Sequence, residues 1–215
     1  MADPLVGDRV VVRYRLGAGG PADWRATPNP APTPARSHAP TLSDLTGLLI
    51  DASAERLILE RDGVAETVPT AAIVSIRQLS TRTVRNSAIR TVERTLTETV
   101  PAAARVEFDG WLLSADPTSE ALRANAAVPA GFGAHAAAAP QLRAWYAERG
   151  APTRIVVPDR LLRLADLTDR AGDEYEVLID PTDAPVQVPV ADRAERLRLR
   201  AAGHWLHHTF TLIEL

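Results

Sequence analysis

The chain has 215 residues and a formal net charge of −3, and 46% of its residues are hydrophobic. This length fits one small module and one medium module better than a single ordinary domain. There is no cysteine, which excludes disulfides, thiolate metal sites and a cysteine nucleophile. All 24 basic residues are arginine, which excludes mechanisms that need a Schiff-base lysine or a P-loop lysine.

Composition and charge also bear on partners and location. The acidic balance provides no general attraction to nucleic acid, and no basic stripe with interleaved aromatic residues is present. No apolar run approaches the length of a membrane span, and the first ten residues are charged where a signal peptide needs an apolar stretch. We therefore expect a cytoplasmic protein that binds neither membranes nor nucleic acid.

The first 80 residues predict a small β module. Residues 6–16 alternate apolar and charged side chains, as a strand with one solvent-exposed face does. Residues 17–40 are rich in Gly, Pro and Ala and predict a disordered loop. Asp62-Gly63 is a strong hairpin signal, and Pro69 marks an edge or a bend. Further strands are expected in 45–53, 55–62 and 65–79. This order of strands resembles SH3-like and Sm-like barrels, closed or nearly closed.

The remainder of the chain alternates helix and strand signals, which is typical of an α/β or α+β domain. Helices are expected in 86–100, 140–149, 159–172 and 194–202, although the alternation in 196–200 leaves a strand as an alternative there. Strands are expected in 105–114, 122–128, 154–157, 175–179 and 204–215.

Several segments in order resemble one family. FDGWLL (108–113), RANA (123–126) and AWYAERG (144–150) are similar to an actinobacterial group of GNAT-superfamily N-acetyltransferases, in which an SH3-like barrel precedes the acetyltransferase domain. The likeness runs from about Val6 to Leu162. It implies an α+β protein with a small N-terminal SH3-like β-barrel (1–80) and a partial GNAT-like α/β domain (86–215). The implied activity is transfer of acetyl from acetyl-CoA to an amine.

The cofactor loop of that family is not found in this chain, and the segment that comes nearest to it is more typical of a plain turn. GNAT enzymes hold the pyrophosphate of acetyl-CoA with a loop of the form Arg/Gln-x-x-Gly-x-Gly/Ala between a strand and a helix. The nearest match has Gly131 and Gly133, the candidate cofactor-binding residues, but Val128 in place of Arg or Gln, and Pro140 interrupts the following helix. We therefore expect weak or no binding of acetyl-CoA by this chain alone, with the catalytic half missing, degenerate or supplied by a separate chain. The alternative is a non-catalytic module that binds a protein partner or a ligand.

Four residues are candidates for substrate binding. Trp111 and Tyr146 would line a pocket, although their spacing is more typical of core residues. Arg123 and Asn125 alternate with alanines on an expected strand and would face one cleft, where Arg123 would pair with a carboxylate or phosphate. No residue is identified as the catalytic base, since neighbouring carboxylates such as Asp109 fit a solvated face equally well.

Three histidines near the C-terminal end invite a metal hypothesis. His204 and His208 would share a face of a helix. A strand is expected there instead, and on a strand His207 and His208 point to opposite faces. We therefore expect no metal site and read these residues as sheet histidines.

Overall fold

The computed structural model describes residues 4–22, 41–180, 182 and 184–215. The chain divides into two compact units, Met1–Thr81 and Arg82–Leu215. The described residues form twelve strands and three α-helices, so the fold mixes α and β and is dominated by strands. None of the helices in these ranges is long and apolar enough to cross a membrane.

The first unit contains an antiparallel sheet of five strands in the order β4-β3-β2-β1-β5. Its strands are β1 (Arg9–Arg15), β2 (Leu42–Ala52), β3 (Arg56–Arg61), β4 (Val64–Pro69) and β5 (Ile73–Leu79). A 3₁₀ turn over Thr70–Ala72 separates β4 from β5, so the expected bend at Pro69 is confirmed. Most of the segment predicted to be a disordered loop, 17–40, lies outside the described residues.

Alternation along the strands builds the core of this unit. In β1, Val10, Val12 and Tyr14 are buried, whereas the three arginines of the strand are exposed. They pack with apolar residues from the other strands, among them Leu49 and Leu59. The edge strands β4 and β5 are not paired with each other in the described sheet, which is therefore open rather than a closed barrel. The 3₁₀ turn joins β4 to β5, which lie at the two edges of the sheet.

The second unit contains a seven-stranded sheet in the order β11-β10-β12-β9-β8-β7-β6. Its strands are β6 (Ala104–Phe108), β7 (Trp111–Ala115), β8 (Ala127–Pro129), β9 (Arg154–Pro158), β10 (Asp173–Ile179), β11 (Val186–Pro189) and β12 (Trp205–Glu214). Its helices are α1 (Asn86–Glu98), α2 (Ala139–Ala147) and α3 (Arg193–Ala201). Among the described strands, β8 and β9 form the one parallel pair, with Ala127 opposite Ile155.

Helices cover both faces of this sheet. Leu96 of α1 packs against Val128 and Val156, whereas Leu142 of α2 packs against Ile155 on the other face. Neighbouring residues of a strand face opposite ways, so β9 is buried on both sides. Helix α3 confirms the helix expected over 194–202 rather than the alternative strand, and at its start the Asp192 carboxylate accepts a hydrogen bond from the Glu195 N–H at 3.0 Å.

Three sequence-based expectations for the second unit were wrong. The expected helix over 159–172 is represented by one 3₁₀ turn, Leu164–Asp166. The expected strand over 122–128 is a 3₁₀ turn, Leu122–Asn125, followed by the short β8. The single strand expected over 105–114 is a hairpin, β6 and β7, that turns at Asp109-Gly110. In the third case the Asp-Gly dipeptide was the available signal, since it favours a two-residue hairpin turn.

Candidate functional site

A cleft opens where the parallel strands β8 and β9 end. Because the two strands run in the same direction, the loops that follow them leave the sheet at the same edge. The cleft has a volume of about 400 Å³. It is lined by Ala134, His135, Ala136, Asp159, Arg160, Leu161, Leu162, Arg163 and Asp166. In open sheets that contain parallel strands, ligands commonly bind in the crevice beyond the carboxyl ends of those strands.

The loop that carries Gly131 and Gly133 forms one side of this cleft. It connects the end of β8 to the start of α2, and it packs against the turn between β6 and β7. The Gly131 N–H donates to the Gly110 carbonyl at 2.7 Å. A Cβ at position 131 would lie 2.8 Å from the Gly110 Cα, so the two backbones meet as closely as glycine permits. The loop therefore has a packing reason for its glycines in addition to any role with a ligand.

Pro140 fits the helix that follows the loop. The sequence led us to expect that this proline would interrupt the helix, and that expectation was wrong. Pro140 lies in the first turn of α2, which begins at Ala139. A proline is tolerated there because the first N–H groups of a helix have no intrahelical acceptor. The loop is thus followed by a 3₁₀ turn, Ala136–Ala138, and then by the N-terminus of α2.

The lining of the cleft carries charges of both signs. Arg160 and Arg163 contribute two guanidinium groups, and Asp159 and Asp166 contribute two carboxylates. Arg160 also donates a hydrogen bond to the Val84 carbonyl, which ties this side of the cleft to the residues just before α1. His135 Nε2 lies 2.9 Å from the Asp109 carboxylate.

The tip of the glycine loop presents an aromatic side chain to solvent. Phe132 is 83% exposed, the largest value among the exposed hydrophobic residues of the described chain. The Arg90 guanidinium lies 4.6 Å from the centre of its ring. The same guanidinium donates to the Gly131 carbonyl at 3.1 Å, so Arg90 links α1 to the loop.

A second cluster of polar side chains is buried beneath α1. Arg123 is paired with Glu93, with one N–O distance of 2.5 Å, and both side chains are at most 1% exposed. His208 Nε2 lies 2.8 Å from the other oxygen of Glu93, and His208 Nδ1 lies 2.7 Å from His207 Nδ1. We call Arg123, Glu93, His208 and His207 the buried network.

Two histidines can join one network because β12 is irregular at this point. Val177 of β10 pairs with His208, and the next residue, Leu178, pairs with Leu206. His207 is therefore the extra residue of a β-bulge, which disrupts the alternation of side chains. The expectation that His207 and His208 point to opposite faces was wrong for this reason. Within the described residues, no group of three or more histidine or carboxylate side chains is arranged to hold a metal ion.

Burial and neighbouring charges determine the protonation states of Glu93 and His207 in the buried network. Burial alone would raise the pKa of Glu93, but Arg123 and His208 outweigh it, and the pKa falls to about 2. Glu93 is therefore a carboxylate that accepts a hydrogen bond from His208 Nε2–H. Burial, and then the charge on His208, lower the pKa of His207 to about 4. His207 is consequently neutral at physiological pH.

The structure places the sequence-predicted site residues in the loop beside the cleft, in the core of the second unit and in the 3₁₀ turn before β8. Gly131 and Gly133 lie in the loop beside the cleft. Trp111 is fully buried in the core that includes Ala134 and Ala138, and its Nε1 has no hydrogen-bond partner among the described residues. Tyr146 is buried in the same core, donates to the Ser114 carbonyl at 3.1 Å, and its pKa is raised by burial.

Arg123 and Asn125 do not face the cleft together. Both lie in the 3₁₀ turn, where Arg123 joins the buried network and Asn125 holds the backbone of the loop after β7 through Asp116 and Ser119. Arg160 and Arg163 were not predicted as site residues, because both fall in the helix expected over 159–172. Glu93 was not predicted either, since its apolar helical neighbours gave no sign of a buried carboxylate.

The chain is similar in sequence to known proteins. Residues 86–211 match the family described as "Probable histone acetyltransferase Rv0428c C-terminal". The chain belongs to this family. It is also 32% identical over 176 residues to the "Probable histone acetyltransferase Rv0428c" of Mycobacterium tuberculosis (strain ATCC 25618 / H37Rv). That similarity covers 82% of this chain and 51% of the relative, so the chain spans about half the length of the curated relative that it matches. No solved structure matches the chain.

The Rv0428c C-terminal family supports an acetyltransferase-like assignment at the level of the family. The matched residues include the whole of the cleft lining and the four residues of the buried network. Acetyl-CoA use is suggested in general terms by the names of the family and of the relative.

Proposed function

We propose that the second unit is a GNAT-type N-acetyltransferase unit that binds acetyl-CoA in the cleft beyond β8 and β9. The observation that carries this proposal is the connection from β8 through the Gly131-Gly133 loop to α2. It stands between a strand and a helix N-terminus, beside the one parallel strand pair of the described sheet. This is the setting in which glycine-rich loops hold phosphate groups.

The residues around the cleft fit acetyl-CoA in part. Arg160 and Arg163 supply positive charge for phosphates, and the 3₁₀ turn that leads into α2 reaches the cleft at Ala136. Leu161 and Leu162 offer apolar contact to an aliphatic arm. When bound, acetyl-CoA supplies an activated acetyl thioester. The acceptor in this proposal is an amine, and because the relative is named a histone acetyltransferase, a lysine side chain is the first acceptor to test.

We also propose that the first unit is related to the SH3-like barrels, with a sheet that stays open in the described residues. Its strand order, β4-β3-β2-β1-β5, supports this proposal, as does the 3₁₀ turn between the last two strands. Barrels of this type serve as peptide-binding or adaptor modules, although a fold alone does not assign a ligand. A protein partner for this chain, or a separate chain that completes the catalytic site, is part of this proposal.

A non-catalytic binding module is the second candidate function. The Gly131 N–H, which a phosphate loop would offer to its ligand, is already bonded to the Gly110 carbonyl. Val128 is buried in the core, where it replaces the Arg or Gln of the family loop. These two features favour a cleft that has kept its shape and lost part of its affinity for phosphate.

Calorimetry with acetyl-CoA tests the proposed cleft. Arg163 is exposed at the cleft, and removing its charge in Arg163→Gln is expected to weaken binding by about tenfold, since a charge-assisted contact contributes roughly 1.5–3 kcal/mol. Arg143, exposed on α2 and outside the cleft lining, provides the matched control Arg143→Gln. Equal affinities for both variants would place the cofactor elsewhere. Binding without acetylation of a lysine peptide would favour the non-catalytic function.

A further inference from the structure

One acidic residue stands against the glycine loop without lining the cleft itself. Asp109 is in the turn between β6 and β7, and its Oδ1 lies 3.0 Å from where a Cβ of Gly133 would be. Its other oxygen, Oδ2, lies 2.9 Å from His135 Nε2. Since His135 lines the cleft, this contact fixes the carboxylate at the rim of the cleft.

The backbone holds Asp109 in this position. Its φ is +46°, a left-handed conformation that side chains other than those of Gly, Asn and Asp rarely adopt. Gly110 follows with a φ of +79°, and a Cβ on it would lie 2.4 Å from the Ala134 nitrogen. The turn therefore cannot move away from the loop without losing this packing.

Asp109 is one of the charged groups around the glycine loop, which Arg90 of α1 contacts at the Gly131 carbonyl. The two arginines of the lining are matched in number by its two aspartates. Asp109 adds a further negative charge beside the loop that a phosphate would approach. Coulomb repulsion between partly exposed like charges weakens binding by about threefold to tenfold at low salt and by less at high salt. A ligand with a diphosphate meets this repulsion, whereas a ligand without phosphate does not.

We propose that Asp109 sets the charge preference of the cleft, disfavouring the diphosphate of acetyl-CoA relative to an acyl thioester on an uncharged pantetheine arm. His135 is the positioning residue that holds the carboxylate at the rim. This inference rests on the proposed function of the cleft, and it names the thioester arm rather than the nucleotide as the part of the ligand that the cleft prefers.

The test compares two ligands that differ in phosphate charge. Calorimetry on the full chain measures the dissociation constants of acetyl-CoA and of acetyl-pantetheine, which carries the same thioester and arm without phosphate. Asp109→Asn removes the charge and keeps a residue that tolerates the left-handed backbone. The variant is expected to bind acetyl-CoA about three- to tenfold more tightly at low salt, with a smaller gain at high salt. Its affinity for acetyl-pantetheine is expected to stay the same.

The chain contains a matched control for the turn itself. Asp62 has a φ of +53° and precedes Gly63 in the hairpin between β3 and β4, so Asp62→Asn makes the same change in the same local structure. Because Asp62 is not among the residues that line the cleft, this control is expected to change neither dissociation constant. The inference is overturned if Asp109→Asn leaves acetyl-CoA binding unchanged, weakens it, or alters the binding of both ligands equally. Absence of any binding by either ligand to every variant would overturn the proposed function as well.

Discussion

The two Asp-Gly turns of this chain have the same local structure and different surroundings. Asp62 and Gly63 have φ values of +53° and +78°, and Asp109 and Gly110 have values of +46° and +79°. A Cβ on Gly63 would meet no atom within 4 Å, whereas one on Gly110 would lie 2.4 Å from the Ala134 nitrogen. The first turn is a simple strand connection. The second also forms the surface against which the glycine loop packs.

The same contrast holds for the ion pairs of the two units. Arg13 and Asp44, on neighbouring strands of the first unit, pair at 2.8 Å with side chains 52% and 39% exposed. In the second unit, Arg123 and Glu93 pair inside the fold, away from water. An exposed pair contributes little to stability, whereas breaking a buried pair leaves an uncompensated charge in the interior. We therefore expect the second unit to depend far more strongly on single charged residues.

The largest expected effect is that of Glu93→Ala. This change leaves Arg123 buried without its carboxylate and is expected to lower the free energy of unfolding by about 3–5 kcal/mol. Urea unfolding followed by tryptophan fluorescence measures it, since Trp111, Trp145 and Trp205 lie in the second unit. Replacing both partners, in Glu93→Leu with Arg123→Met, is expected to recover most of the loss. A double variant no more stable than Glu93→Ala would show that the pair itself stabilises the fold.

The next largest effect is the loss of stability in Gly110→Ala, compared with the loss in Gly63→Ala. Both changes place a Cβ on a left-handed backbone, which costs roughly 1–2 kcal/mol. Gly110→Ala adds a clash with the backbone of the glycine loop, so its total loss is expected to reach about 2–4 kcal/mol. Thermal unfolding of both variants measures the difference. Equal losses would mean that the glycine loop moves aside at little cost.

The dependence of stability on pH separates two members of the buried network. The pKa of His207 is lowered from its ordinary 6.5 to about 4, so the unfolded chain binds its proton first as pH falls. The stabilisation from His207 is complete above pH 6.5 and is lost as pH falls towards 4, by about 2–3 kcal/mol. For Glu93 the corresponding loss comes later, from its ordinary pKa of 4.5 down to about 2.

His207→Gln identifies the first of these losses. It is expected to flatten the stability profile between pH 6.5 and 4 and to leave the loss below pH 4.5 in place. Urea unfolding at a series of pH values gives the profile. If wild type and His207→Gln fall in parallel throughout, another group titrates in the upper window.

The smallest expected effect is that of Arg13→Gln in the first unit. Because Arg13 and Asp44 are exposed, losing their pair is expected to change the free energy of unfolding by less than about 1 kcal/mol, and less still at high salt. Hydrogen exchange of the amides in β1 and β2 measures this change locally. A loss comparable to that of Glu93→Ala would remove the contrast between the two units.

Most of the secondary structure could be predicted because its signals are local. The alternation in β1, the Asp192 cap of α3 and the apolar face of α1 each depend on residues a few positions apart. The helix expected over 159–172 failed because local periodicity does not report that this segment follows a buried strand and lines a cleft. The strand expected over 122–128 failed because Arg123 turns inward to reach Glu93, thirty residues earlier in the chain.

The sequence alone determined the strand-rich first unit, the alternation of helices and strands in the second, and the family likeness. Only the tertiary structure placed the Gly131-Gly133 loop between β8 and α2, brought Arg160 and Arg163 to the same edge, and set Asp109 beside Gly133. It also paired Glu93 with His208, 115 residues apart, through a β-bulge in β12 that the alternation of residues does not predict. The physical reason is the sequence distance over which each signal acts. Hydrogen-bonded turns and amphipathic periodicity depend on residues that are near neighbours in the chain. The charge of a cleft, by contrast, is set by residues that meet after the sheet has formed.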